Sequence, residues 1–150
     1  MNILLAIDDS PDSRHMLAWL GARPEWLTPS QHYAVVHVQT PLPNGLQVLL
    51  DPAQIEIRRA AEASSVFRSV RTFLEHHGIH AEYLHPEGNA SAVIVEQAAR
   101  MKADLIVMGS RGHGAMGQWL LGSVVSRVLA TSSVPVLVVP PPGRSATAPQ

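Results

Sequence analysis

Residues 104–130 read DLIVMGSRGHGAMGQWLLGSVVSRVLA, an apolar run followed by a glycine-rich stretch and a helical pattern. The run Asp104–Met108 shows no polar alternation, as expected for a strand that is covered on both faces. Apolar residues then recur at helical spacing at Val124, Val125, Val128 and Leu129. A buried strand that passes through a loop into a helix is typical of the repeating unit of a parallel sheet.

Outward from this unit, apolar runs and helical patterns alternate along the whole chain. Strands are predicted over Asn2–Ile7, Tyr33–Gln39, Ile79–His85 and Val134–Val139. Helices are predicted from the Ser10-Pro11 start to Gly21, over Ala53–His77 and Ser91–Met101, and from Gly122-Ser123. Thr40–Asp51 is predicted as an irregular crossover loop. The order βαβαβαβαβ predicts an α/β fold, a doubly wound five-stranded parallel sheet with helices on both faces, similar to a Rossmann fold.

Composition limits the class of protein. The length of 150 residues suits one domain, which we expect over residues 1–140, followed by a flexible proline-rich tail over 141–150. The absence of cysteine excludes disulfides and catalytic thiols. A net charge of −1 does not provide the basic surface that nucleic acids require. Without a signal peptide or a long apolar stretch, we expect a cytoplasmic protein with no membrane partner.

The glycine-rich stretch is the strongest functional signal in the sequence. Five glycines separate the strand from the helix: Gly109, Gly112, Gly114, Gly117 and Gly122. Such loops can direct several amides toward one anion, and the helix that follows adds its own free amides and dipole. We expect a positive φ at Gly122. A Walker P-loop is excluded because no Gly-Lys-Ser/Thr occurs, and a dinucleotide fingerprint would follow the first strand.

The spacing Gly109-x2-Gly112-x9-Gly122-Ser123 resembles the nucleotide-binding signature of the universal stress protein family, in its ATP-binding subclass of single-domain members. The segments ILLAIDDSPDS, VVHV, DLIVMGSRG, LLGSVVSRVL and VPVLVV extend this resemblance over nearly the whole chain. His113 and Asp9 depart from what many members carry at those positions.

The resemblance implies a role for eight residues. Asp8 would contact the ribose or adenosine, and the Val38 backbone would pair with the adenine edge. The ribose and phosphates would lie against Met108, Gly109 and Gly112. The β- and γ-phosphates would be held by backbone amides and the serine hydroxyl at Gly122, Ser123 and Val124.

The resemblance further implies an ATP-binding stress-response or signalling module, with Mg²⁺ beside the phosphates and an unidentified protein partner. Members of the family commonly form homodimers through the last strand, here Val134–Val139, and an apolar edge strand favours such pairing. Two alternatives stay open: a slow ATPase or self-phosphorylating enzyme, and a dimeric scaffold that does not depend on nucleotide.

Other side chains suggest competing sites. Asp8-Asp9 resembles the acidic pair of response-regulator receivers, but the phosphoacceptor aspartate and the lysine of those proteins have no counterpart here. The histidines His76, His77, His80 and His85 are more typical of a solvated helix end than of a zinc site. His37 is predicted to be a hydrogen-bonded core residue. Three arginine side chains could reach a bound phosphate: Arg58, Arg111 or Arg127.

Overall fold

Five parallel strands form one sheet in the order β3-β2-β1-β4-β5, in a computed structural model that describes residues 1–112 and 121–142. The strands are β1 (Asn2–Ala6), β2 (His32–Val36), β3 (Ala81–Leu84), β4 (Leu105–Gly109) and β5 (Val136–Val139). The helices are α1 (Pro11–Gly21), α2 (Asn44–Gln47), α3 (Pro52–His76), α4 (Ala90–Arg100) and α5 (Ser123–Thr131). The predicted doubly wound α/β sheet is confirmed.

Two apolar layers cover the faces of the sheet. Because side chains alternate along a strand, Ile3 and Leu5 face one layer while Leu4 and Ala6 face the other. The first layer holds buried residues of α1 and α3, among them Met16, Leu20, Phe67 and Leu74. The second holds residues of α4 and α5, among them Ile94, Ala98, Val125 and Val128. Helices therefore lie on both faces, as predicted.

The helix ends follow local capping chemistry. The Ser10 hydroxyl accepts a hydrogen bond from the Ser13 amide at 3.3 Å, so Ser10 caps α1 as predicted. Asn89 caps α4 in the same way, through the Ala92 amide at 3.2 Å. After α3, Gly78 has φ of +71°, the left-handed conformation expected of the residue beyond a helix C-terminus.

Strand ends and the crossover loop differ in detail from the predictions. β2 ends at Val36, although the amides of His37 and Gln39 still bond the carbonyls of Leu84 and Pro86 beyond the regular ladder. β5 begins two residues later than predicted because Pro135 has no amide hydrogen to donate. Within the predicted loop, four residues form the short helix α2.

The described chain, 1–112 and 121–142, contains no helix long and apolar enough to span a lipid bilayer. The domain boundary at residue 140 stays a prediction, and residues 143–150 of the predicted tail lie outside the described residues.

Gly78 gives a test of the backbone at the end of α3. We expect Gly78→Ala to lower the free energy of unfolding by about 1–2 kcal/mol, because a side chain makes the left-handed conformation costly. Crowding is not the cause, since an added Cβ would lie 3.6 Å from Pro29 Cγ. Gly78→Asn should lose less, because asparagine tolerates this conformation.

The matched control is Gly45→Ala in α2, where an added Cβ has no atom within 4 Å. Urea unfolding of the three variants measures the difference. A loss at Gly45 as large as the loss at Gly78 would contradict the assignment.

Candidate functional site

The strand order reverses between β1 and β4, and a cavity opens at that point. From β1 the chain continues to β2 on one side, whereas from β4 it continues to β5 on the other. Ligands of such sheets bind in the resulting crevice, at the carboxyl ends of the strands. The cavity has a volume of about 620 Å³. It is lined by all eight residues to which the family resemblance assigned a role: Asp8, Val38, Met108, Gly109, Gly112, Gly122, Ser123 and Val124.

Asp8 is held rigidly at the end of β1. Its Oδ1 accepts hydrogen bonds from the Ser10 amide at 3.0 Å and the Ser13 hydroxyl at 2.8 Å. The Asp8 amide in turn donates to Ser13 Oγ at 3.0 Å. Ser13 also lines the cavity, yet its spacing from Asp8 gave no signal in the sequence. The first turn of α1 thus fixes a carboxylate that can accept hydrogen bonds from hydroxyl groups.

Val38 presents its backbone to the cavity. The amides of His37 and Gln39 both point toward β3, where they bond the carbonyls of Leu84 and Pro86. Because backbone groups alternate sides along an extended chain, those of Val38 point toward β1. The last bond between β1 and β2 is made by the Ile7 amide to the Val36 carbonyl, so β1 has left the sheet before Val38. A donor and an acceptor of the main chain therefore face the crevice.

Two glycines of β4 and its loop are required by the protein's own packing. A Cβ on Gly109 would lie 3.1 Å from the backbone of Asp12, and one on Gly112 would lie 2.7 Å from Asp8 Oδ2. Real Cβ atoms rarely approach other atoms this closely, so a side chain at either position would displace α1 or the Asp8 carboxylate. The glycine content of the sequence identified these positions as part of a ligand loop. Glycine at these positions serves the packing of the protein as well as access for a ligand.

Gly122 caps α5 in a conformation that differs from the prediction. Its φ is −60°, which every residue can adopt, so the expected positive φ is wrong. Its amide donates to the Ser110 carbonyl at 2.8 Å. The close neighbour of an added Cβ would be Arg111 Cα at 3.3 Å. With the Gly122 amide engaged, the first amides of α5, at Ser123 and Val124, are the groups that helix geometry leaves for an anion.

Arg111, which lines the cavity, forms an ion pair with Asp12. Its Nε lies 3.2 Å from Asp12 Oδ2 and its Nη2 lies 3.3 Å from Asp12 Oδ1. The Ser110 hydroxyl also donates to Asp12 Oδ2, at 3.1 Å. Asp12 is 6% exposed, so the pair is largely desolvated. The sequence suggested Arg111 for phosphate, whereas the structure commits its guanidinium to a carboxylate 99 residues away.

Of the remaining sequence candidates that the structure describes, His37 is the one that lines this cavity. His37 is buried and hydrogen-bonded, as predicted, and also lines the cavity. Among the described residues no group of three or more histidines, aspartates or glutamates is placed to hold a metal ion. His77 instead contacts the Phe73 carbonyl at 2.8 Å. Three loop residues that entered the sequence argument, His113, Gly114 and Gly117, lie outside the described residues.

A sequence profile of the universal stress protein family matches residues 1–140. The chain belongs to the universal stress protein family. It is 34% identical to a universal stress protein of Thermus aquaticus, over 91% of this chain and 96% of that protein. A Methanocaldococcus jannaschii universal stress protein is 43% identical over 54% of this chain, and that match spans only 48% of the relative's length.

Solved structures share the fold. The protein MJ0577 superposes with a TM-score of 0.79 at 24% identity, covering 95% of this chain and 97% of that one. An Arabidopsis thaliana family protein solved with AMP bound gives a TM-score of 0.67 at 17% identity, covering 97% and 93%. An Archaeoglobus fulgidus universal stress protein in complex with dAMP gives 0.64 at 22% identity, covering 92% and 96%. At these identities the likeness establishes the fold.

The ion pair at the base of the cavity yields a stability prediction. We expect Arg111→Ala to lower the free energy of unfolding by about 1–3 kcal/mol, because the buried Asp12 carboxylate loses its charged donors. Urea unfolding with circular dichroism measures the loss.

Arg14→Ala is the matched control. Arg14 pairs with Asp9 at 3.2 Å, but both side chains are mostly exposed, at 59% and 74%. Solvent screens such a pair, so its removal should cost under about 1 kcal/mol. Equal losses for the two variants would show that the Arg111–Asp12 pair contributes no more to stability than the exposed Arg14–Asp9 pair does.

Proposed function

We propose that this protein binds ATP in the crevice between β1 and β4, with Mg²⁺ on the phosphates, and that its nucleotide state regulates a protein partner in a stress response. The observation that carries the proposal is the convergence on one cavity of a fixed carboxylate, an inward-facing main chain at Val38 and the N-terminus of α5. These three groups match the three parts of a nucleotide: ribose, base and phosphate.

The size and polarity of the cavity fit this ligand. Its volume of about 620 Å³ falls within the range of small-molecule sites, about 300–1,000 Å³. Apolar side chains at Val38, Ile94 and Met108 line it, as a flat base requires. The main chain of Val38 offers one donor and one acceptor, which suits the edge of adenine. Asp8 accepts hydrogen bonds only, which suits the hydroxyls of ribose.

Phosphate binding favours a triphosphate over a monophosphate. Each helix-terminus interaction with an anion is worth only about 0.3–1 kcal/mol when exposed, so useful affinity needs several acting together. The α5 terminus presents its first amides to the cavity, because Ser123 and Val124 both line it. The Ser123 hydroxyl adds a donor at the same end. Longer phosphate chains engage more of these groups.

Magnesium would arrive with the nucleotide. Asp8 and Glu62 place negative charge along the cavity, and Arg111 is paired with Asp12. Within 1–112 and 121–142 no cluster of carboxylates forms a dedicated metal site. Mg²⁺ is commonly held by one or two carboxylates together with substrate phosphates. Bound in that way, it would offset the repulsion between the triphosphate and the acidic side chains.

Melting temperatures test the choice of nucleotide. At a hundredfold excess over Kd, Mg²⁺-ATP should stabilise the folded state by about 2.7 kcal/mol, or about 5–11 °C. AMP should raise the melting temperature less, because it does not reach the α5 amides, and GTP less, because its base edge differs. ATP without Mg²⁺ should also do less. Equal shifts for all three nucleotides, or none at millimolar ATP, would contradict the proposal.

Two serines on one helix give the matched control for this experiment. Ser123→Ala removes a hydroxyl at the cavity and should reduce the ATP shift, whereas Ser126→Ala, on exposed surface one turn later, should not. Loss of the shift in both variants would indicate damage to α5 rather than loss of a phosphate contact.

We propose further that two chains pair through β5. This strand is an edge of the sheet, and its first three residues, 136–138, are half-buried. The carbonyls of Pro135 and Val139 bond β4, so the backbone groups of Val138 point away from the sheet toward a partner strand. The partner protein and the cytoplasmic location stay predictions from the sequence.

Light scattering tests the dimer. The wild-type protein should have twice the monomer mass. The Val138→Pro variant should have the mass of one monomer, because proline removes an outward-facing amide. Leu137→Pro is the contrast, since its amide faces β4 and its loss should damage the sheet itself. A wild-type mass that stays monomeric at high concentration would rule out this interface.

A further inference from the structure

His37 has a buried ring nitrogen that the fold does not satisfy. Its Nδ1 lies 3.2 Å from the Ile7 carbonyl oxygen. A carbonyl oxygen only accepts hydrogen bonds, so Nδ1 must carry the hydrogen, and Nε2 of the neutral ring is a bare acceptor. Nε2 is buried and has no hydrogen-bond partner among the described residues. Such an atom in a native structure calls for a partner, which can be a water, a ligand or a neighbouring acceptor once the nitrogen is protonated.

A carboxylate lies close to this nitrogen, and it is an acceptor as well. Glu62 Oε1, on α3, lies 3.8 Å from His37 Nε2. Both side chains line the cavity. With a neutral ring, a carboxylate and a lone pair face each other and no hydrogen bond forms. A proton on Nε2 would turn this contact into a charge-assisted hydrogen bond.

The backbone of α3 is fixed while the Glu62 side chain has room to move. The Gln39 side-chain amide donates to the Arg59 carbonyl at 2.7 Å, and the Arg59 side chain pairs with Glu87. These contacts hold α3 against the strand ends one turn before Glu62. The Glu62 side chain is 64% exposed. Its carboxylate needs to approach by less than about 1 Å to reach hydrogen-bonding distance.

We propose that His37 and Glu62 form a proton-operated contact in the cavity, and that closing it strengthens the binding of an anionic nucleotide as the pH falls. The proposal rests on the proposed function for its ligand. Protonation converts the Glu62 carboxylate from an unpaired negative charge beside the ligand into half of an ion pair. The repulsion that a triphosphate meets from this side of the cavity is thereby removed.

Other charges near the ring do not replace this effect. Asp8, which follows β1, lines the same cavity and already accepts two hydrogen bonds. Arg59 of α3 and Glu87, which follows β3, neutralise each other. His85 lies beyond the Phe67 ring, which packs edge-on against His37 with centroids 6.3 Å apart. Glu62 is thus the charged group that gains an ion-pair partner when the His37 ring takes up a proton.

Calorimetry of Mg²⁺-ATP binding at pH 6.0 and pH 8.0 tests the consequence. For each protein, the affinity for Mg²⁺-ATP at pH 6.0 is divided by the affinity at pH 8.0. This ratio should be about 3–10-fold larger for wild type than for Glu62→Gln. The titration of ATP itself is common to all variants and cancels in this comparison. His37→Asn keeps an amide that can donate to the Ile7 carbonyl, and should behave as Glu62→Gln does. Glu56→Gln, an exposed change on the same helix, should behave as wild type does.

The imidazole signals of His37 in ¹⁵N NMR test the contact without any ligand. At pH 6.0 the protonated fraction of the ring should be lower in Glu62→Gln than in wild type or Glu56→Gln. Equal fractions in the three proteins would overturn the proposal. So would ATP binding whose pH dependence is unchanged in Glu62→Gln.

A failure of the proposed function is distinguishable from a failure of this contact. If ATP binds to none of the proteins, the effect on nucleotide affinity falls with the proposed function. The ring signals then decide separately whether His37 and Glu62 pair on protonation.

Discussion

The carboxyl end of β4 meets the first turn of α1 at a distance that leaves little room for a side chain. A Cβ at Gly109 would lie 3.1 Å from the backbone of Asp12. This approach brings the Asp12 carboxylate within reach of Ser110 and Arg111, and it brings Gly112 against Asp8. The contacts of Asp12 and the surroundings of Asp8 are therefore built where β4 meets α1, so packing and the candidate ligand site share the same residues.

Most of the fold was predictable because its signals are local. Strands covered on both faces read as unbroken apolar runs, and Ser10 and Gly78 mark helix ends through their own hydrogen bonds and φ angle. The reversal of strand order then follows from right-handed crossovers. The errors lie where the chain leaves a regular ladder: at Pro135, which lacks an amide hydrogen, and in α2, whose four residues carry too little periodicity to recognise.

The candidate site was predictable in position but less so in its contacts. The resemblance to the universal stress protein family assigned roles to eight residues, and all eight line one cavity. Their neighbours could not be read from sequence, because the Arg111 and Asp12 pair joins residues 99 positions apart and the Ser13 bond to Asp8 depends on the first turn of α1. At Gly122 the residue type alone gave the wrong conformation. Its φ of −60° can be adopted by any residue, and its amide donates to the Ser110 carbonyl.

The charges around the cavity decide how an anion could be held there. Asp8 and Glu62 are negative, and Arg111, which also lines the cavity, pairs with Asp12. No lysine lines the cavity within the described chain. Among the described residues, main-chain amides can attract phosphate, and in the proposed function a cation that arrives with the ligand and a proton that neutralises a carboxylate add to this attraction. Of the side chains that line the described cavity, His37 is the one imidazole. A site built in this way responds to metal and proton concentrations, whereas a site built on lysine would bind phosphate at nearly constant strength.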